Sequence, residues 1–130
     1  MSTWRWRATL ALVPLFFATV VLADTPPIDQ EKLQQRLAAR DATLVVLDAR
    51  SPQEFADGHI PGALNIPYNY LPAGISALKD ASDKDIVVYC ETGVRAERAA
   101  SRLKENGFKR LLHLEGDMKQ WRENKLPVEK

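Results

Sequence analysis

The chain has 130 residues, with 18 Lys and Arg against 17 Asp and Glu and a formal charge of +1. With no basic run and no acidic tail, this balance gives no reason to expect a nucleic-acid partner. The single cysteine excludes an internal disulfide.

The first stretch reads as a targeting segment rather than as fold. MSTWRWR carries Arg5 and Arg7, and sixteen uncharged residues, ATLALVPLFFATVVLA, follow before Asp24. A basic start, an apolar middle and small residues at a polar boundary describe a secretory signal peptide over residues 1–23, cleaved between Ala23 and Asp24. The alternative is an uncleaved anchor, but the apolar run falls short of the ~20 residues of a spanning helix and Pro14 interrupts it. Cleavage leaves 107 residues, and the loss of Arg5 and Arg7 takes the formal charge from +1 to −1. That length suits one domain with its own core, residues 24–130. The expected location is periplasmic or secreted, without stable membrane association after cleavage. In an oxidising compartment a lone cysteine is an inert buried residue, an intermolecular link or a reactive thiol.

A helix opens the domain, with Asp29 as N-cap and Ile28, Leu33 and Leu37 on one face. TLVVLD, residues 43–48, is an apolar run of strand length, buried on both faces. SPQEF starts a compact helix: Ser51 as cap, Pro52 at the first helical position, Glu54 completing a capping box, Gly58 ending it. After the Pro61-Gly62 turn comes a short strand over residues 63–66, and YLPAGISALKDAS suggests a further short helix. DIVVYC is the next buried strand. A helix over residues 94–106 turns Ala99, Ala100 and Leu103 inward, and Gly107 with Phe108 forms a Schellman stop. RLLHLEG is the last strand and DMKQWREN the last helix, capped by Asp117. The class is α/β, with a mostly parallel central sheet of about five strands and helices on both faces.

The chemistry concentrates in VVYCETGVRAERAA. Cys90 stands at the carboxyl end of a parallel strand, where ligands gather in open sheets. Glu91, Thr92, Gly93 and Val94 lead into a helix N-terminus, whose free N–H groups and dipole favour negative charge. Gly93 permits a tight turn, and Arg95 can supply a cation. The stretch describes an anion cradle with a soft nucleophile at its floor, or else a buried cysteine beside an exposed helical arginine.

Three blocks carry a family resemblance. LDARSPQEFADGHIPGALNIPY, CETGVR and LEGDMKQW, in this order and spacing, resemble a single-domain rhodanese over nearly the whole domain. The resemblance implies a sulfurtransferase. Cys90 attacks the outer sulfur of a small sulfur-containing anion such as thiosulfate, carries it as a persulfide, and passes it to cyanide or a thiol. The loop residues Glu91, Thr92, Gly93 and Val94 hold the negative persulfide, and Arg95 orients the donor. Neither metal nor organic cofactor is implied; a protein acceptor is a further option. Asp48 and Arg50, at a strand end near the site, tie the loops together. His59 and His113 read as packed, hydrogen-bonded histidines and Trp121 as core. Two residues depart from the family pattern. Asp117 stands where a second glycine is common, and Glu91 places a carboxylate beside the nucleophile. Rival readings are a non-catalytic partner-binding module and a thiol-redox component. A Cys-x5-Arg phosphatase is disfavoured, because only four residues separate Cys90 from Arg95.

Overall fold

Five parallel strands in the order β1-β5-β4-β2-β3 form the sheet of the computed structural model, which describes residues 2–3, 8–17 and 25–130. The expected cleavage boundary at Ala23 and Asp24, with Arg5 and Arg7, lies outside the described residues. In chain order the elements are β1 (Pro27–Ile28), α1 (Gln30–Ala38), β2 (Leu44–Asp48), α2 (Pro52–Asp57), β3 (Leu64–Asn65), β4 (Asp85–Tyr89), α3 (Val94–Glu105), β5 (Leu111–Leu114) and α4 (Asp117–Glu123). Two 3₁₀ stretches, Tyr68–Tyr70 and Ala73–Ala81, join β3 to β4.

Side-chain alternation along β4 divides the core into two layers. Ile86, Val88 and Cys90 pack with Ala96, Ala99, Ala100 and Leu103 of α3 on one face. Val87 and Tyr89 pack with Leu33, Met118 and Trp121 of α1 and α4 on the other. Helices thus cover both faces, as an all-parallel sheet requires. The six apolar side chains Leu10, Leu12, Val13, Leu15, Phe16 and Phe17 of the first segment lie exposed, apart from either layer.

Local rules place most elements. Asp29 caps α1 through Lys32 N–H at 2.7 Å, and Ser51 and Glu54 complete the capping box of α2. Gly107 and Phe108 donate to the carbonyls of Lys104 and Leu103, the full Schellman pair. Four expectations need correction. Ile28 belongs to a strand, paired with Leu114. Pro26 and Pro27 preset extended backbone, and this edge needs only acceptors there, the carbonyls of Pro26 and Ile28 for the N–H groups of His113 and Glu115. The third strand is shorter than residues 63–66, because it pairs with β2 only at Leu64 and Asn65. The segment after it winds as 3₁₀ turns, with Gly74 so close to Ile66 that a β-carbon would lie 2.8 Å from its Cγ2. Asp117 does not cap α4. Gly116, at φ +75°, takes the cap position, and no side chain caps this helix.

Candidate active site

Cys90 is 1% exposed and directly follows β4, on the α3 side of the sheet. Its sulfur accepts the Gly93 N–H at 3.0 Å. Gly93 is the N-cap of α3 at φ +117°. A β-carbon there would lie 3.1 Å from His113 Cε1 and 3.2 Å from Asp117 Oδ2, so the conformation demands glycine and the space around it is tight. Around this floor Thr92 and Val94 are exposed and Glu91 is half-buried. The carbonyls of Cys90 and Glu91 accept from Met118 and Lys119, which docks the start of α4 onto the loop. Of the loop Glu91–Val94, Gly93 alone aims an N–H at the sulfur.

Arg95 is less free than its sequence position implies. Both terminal nitrogens bind Glu54, at 2.7 and 2.8 Å. The Arg95 bond is the main reason the Glu54 carboxyl is held down to about 2, and the same bond pushes Arg95 up. This pair stands between two recesses. One of about 380 Å³ is lined by Ala49, Tyr68, Tyr70 and Arg95 among others. The other, about 330 Å³, is lined by Arg50, Glu54, Glu91, Met118 and Arg122 among others. Glu91 is paired with Arg122 there, so its charge at the loop is matched. Glu54 and Arg122 were invisible as site residues in the sequence. Glu54 showed only as a cap, and Arg122 as one more charge on a helix.

Asp117 gives its carboxylate to the nucleophile's own backbone. Oδ1 accepts the Cys90 N–H at 3.0 Å, and the same carboxylate lies 3.0 and 3.1 Å from His113 Nε2. The other ring nitrogen is 2.9 Å from Glu97 of α3. His113 is thus hydrogen-bonded at both ring nitrogens, as read from the sequence, but partly exposed rather than packed away from solvent. Its pKa is raised, first by the hydrogen bond to Asp117. The spacing of His113 and Asp117 across a strand end and helix start was the only available signal.

The supporting residues behave as the sequence suggests. Buried Arg50 forks onto Asp48, with contacts from 2.7 to 3.1 Å, and donates to the Gly58 carbonyl at 2.8 Å. His59 stacks on Phe55 at 3.6 Å and bonds its carbonyl. Trp121 is fully buried, its N–H given to the Pro127 carbonyl at 2.8 Å. Among the described residues, no cluster of His, Cys, Asp and Glu is arranged to hold a metal ion.

Comparison with known proteins agrees with this architecture. Residues 29–124 match the family model described as a rhodanese-like domain. A sulfurtransferase of Allochromatium vinosum is 40% identical over 101 residues, covering 78% of this chain and 92% of that protein. The tRNA uridine(34) hydroxylase of Salmonella agona is 34% identical over 120 residues, covering 81% of this chain and 34% of the hydroxylase. The solution structure of a rhodanese-like domain from Anabaena superposes with a TM-score of 0.71 at 29% identity, over 80% of this chain and 78% of that one. Sequence, topology and the setting of the cysteine converge: the chain belongs to the rhodanese-like family.

Proposed function

We propose that this protein is a sulfurtransferase working through a persulfide on Cys90. The observation that carries the reading is the bond from Gly93 N–H to the Cys90 sulfur, at the end of a parallel strand and the start of α3. A backbone donor and a helix N-terminus stabilise negative charge on sulfur without a proton acceptor. In the first half-reaction the thiolate attacks the outer sulfur of a thiosulfate-type anion. The S–S bond of the donor breaks and sulfite leaves with its electron pair. In the second, cyanide or a thiolate attacks the outer persulfide sulfur, forms a new bond to it and returns the Cys90 thiolate. Atoms and charge balance with no further reactant.

The surroundings favour a small donor over a phosphate ester or a protein disulfide. The Arg95 guanidinium is engaged by Glu54, whereas a phosphatase loop needs it free to clamp the phosphate. A sulfur only 1% exposed suits a small sulfur anion better than exchange with another protein's thiol. The 40% identical relative carries the name sulfurtransferase, which supports the same class. Export to the periplasm or beyond completes the proposal, supported by the basic start and the uncharged run of residues 8–23 in the sequence. No helix among the described residues is long and apolar enough to cross a membrane.

The test is thiosulfate-to-cyanide transfer by native protein beside Cys90→Ser, with intact mass measured after thiosulfate. Native protein is expected to gain one sulfur atom that cyanide removes, and Cys90→Ser to gain none and to make no thiocyanate. Transfer by Cys90→Ser at the native rate sinks the mechanism.

A further inference from the structure

Beneath the Cys90 loop, three charged side chains converge that the sulfur-transfer steps do not use. Asp117 is 2% exposed and sits at φ +51°, a backbone conformation that persists only where its surroundings hold it. Its carboxylate accepts the Cys90 N–H and lies against His113 Nε2. Glu97 lies against His113 Nδ1. With a carboxylate at each ring nitrogen, the imidazole is set up to carry a proton on both. Gly93 touches both sides of this arrangement: its N–H meets the sulfur, and its α-carbon faces the imidazole. On the neighbouring strands His113 is flanked by Pro27 and Val88, which bear no charge. Lys104 reaches the group only through the Thr25 hydroxyl, which donates to Glu97.

We propose that His113 is a positioning residue for the sulfur chemistry. As an imidazolium it offsets the two carboxylates behind Cys90, and when it loses its proton they oppose an anionic sulfur and an anionic donor. The inference rests on the sulfur-transfer reading of the loop. The triad carries a net charge of −1 with His113 protonated and −2 without. The hydrogen bond to Asp117 keeps that proton to higher pH than an ordinary histidine would. Coupling between charges is reciprocal: whatever the His113 proton does for negative charge at position 90, negative charge there does for the proton. The effect falls on kcat/KM for anionic donors, whose approach the two carboxylates resist once the imidazolium no longer offsets them.

Two measurements test this. The chain has only two histidines, so His113 can be followed by NMR beside His59 without turnover. Cys90→Asp fixes an anion in place of the sulfur, and Cys90→Ser removes it. The His113 midpoint is expected to lie about 0.5–1 pH unit higher in the former, a three- to tenfold change in proton affinity. Equal midpoints overturn the coupling. The second measurement stands even if the buried aspartate prevents folding: the pH profile of thiosulfate loading in native protein and His113→Gln. Native kcat/KM is expected to drop about three- to tenfold on the alkaline side. In His113→Gln that limb disappears and the rate is low throughout. An alkaline limb that survives in His113→Gln overturns the proposal. If neither protein loads sulfur while the NMR midpoints still differ, the charge coupling stands and the sulfur-transfer reading falls.

Discussion

Glu91 and Arg122 meet at the lip of the Cys90 loop. A lone carboxylate beside the nucleophile would repel a doubly negative donor; paired with a guanidinium it presents a dipole instead. Arg122→Ala is therefore expected to unmask Glu91 and lower kcat/KM for thiosulfate about two- to fivefold at low salt, the effect shrinking as salt is added. Glu91→Gln is expected to raise it by a similar factor, because Arg122 is then released. The double variant should return close to native. Initial rates at two ionic strengths check this, and a double variant as slow as Arg122→Ala would mean that Glu91 is not what Arg122 offsets. The sequence places Glu91 next to Cys90 without difficulty. Its partner, 31 residues further on, is set by tertiary packing and leaves no local mark. The same holds for Asp117, where the residue's tolerance of a left-handed backbone was readable and the destination of its carboxylate was not.

The element that couples fold to site is α2. Its capping box follows from Ser51 and Glu54 three residues apart, which is local and so legible. The other face of Glu54 is held by Arg95, 41 residues away. The Glu54 carboxyl is depressed from its usual value near 4.5 to about 2. A depressed acid stabilises the fold above its unfolded pKa, and that stability is lost as pH falls through the folded one. The contribution is thus complete above about pH 4.5 and gone near pH 2. Glu54→Gln keeps both capping-box roles and removes the charge. It is expected to cost about 1 kcal/mol at pH 7, the upper end for an ion pair in contact with water. The difference from native should close as pH approaches about 2. Urea titrations of both proteins at pH 7, 4 and 2.5 measure it, and a gap that does not narrow with acid would show that the charge is not its source. The Schellman stop after α3 was equally legible, because glycine and a following apolar residue spell it out.

For the whole molecule, the alternation of strands and helices gave the class, and long apolar runs gave the central strands. The edge strand β1 escaped notice because two residues led by a proline carry no periodicity. Its position matters, since the family match begins at residue 29 and excludes it. Protein starting at residue 25 keeps the Pro26 and Ile28 carbonyls on β5, the buried Ile28 side chain, and Thr25 on Glu97. Protein starting at residue 29 is expected to be less stable by about 2–4 kcal/mol, from one buried isoleucine and two ladder hydrogen bonds. Denaturant unfolding of the two forms decides it. Equal stability would show that β1 adds nothing to the sheet.

Trp121 lies in the layer behind the sheet, on the helix whose first N–H groups hold the carbonyls of Cys90 and Glu91. The chain's other two indoles, Trp4 and Trp6, fall in the segment expected to be removed. A processed molecule therefore carries one tryptophan, which can be excited apart from the three tyrosines, shielded from water and joined through α4 to the loop that bears the sulfur. Its emission reports cooperative unfolding without any label. Because the indole and the loop share α4, a shift in that emission during catalysis would time loop movement against each half-reaction in a stopped-flow trace.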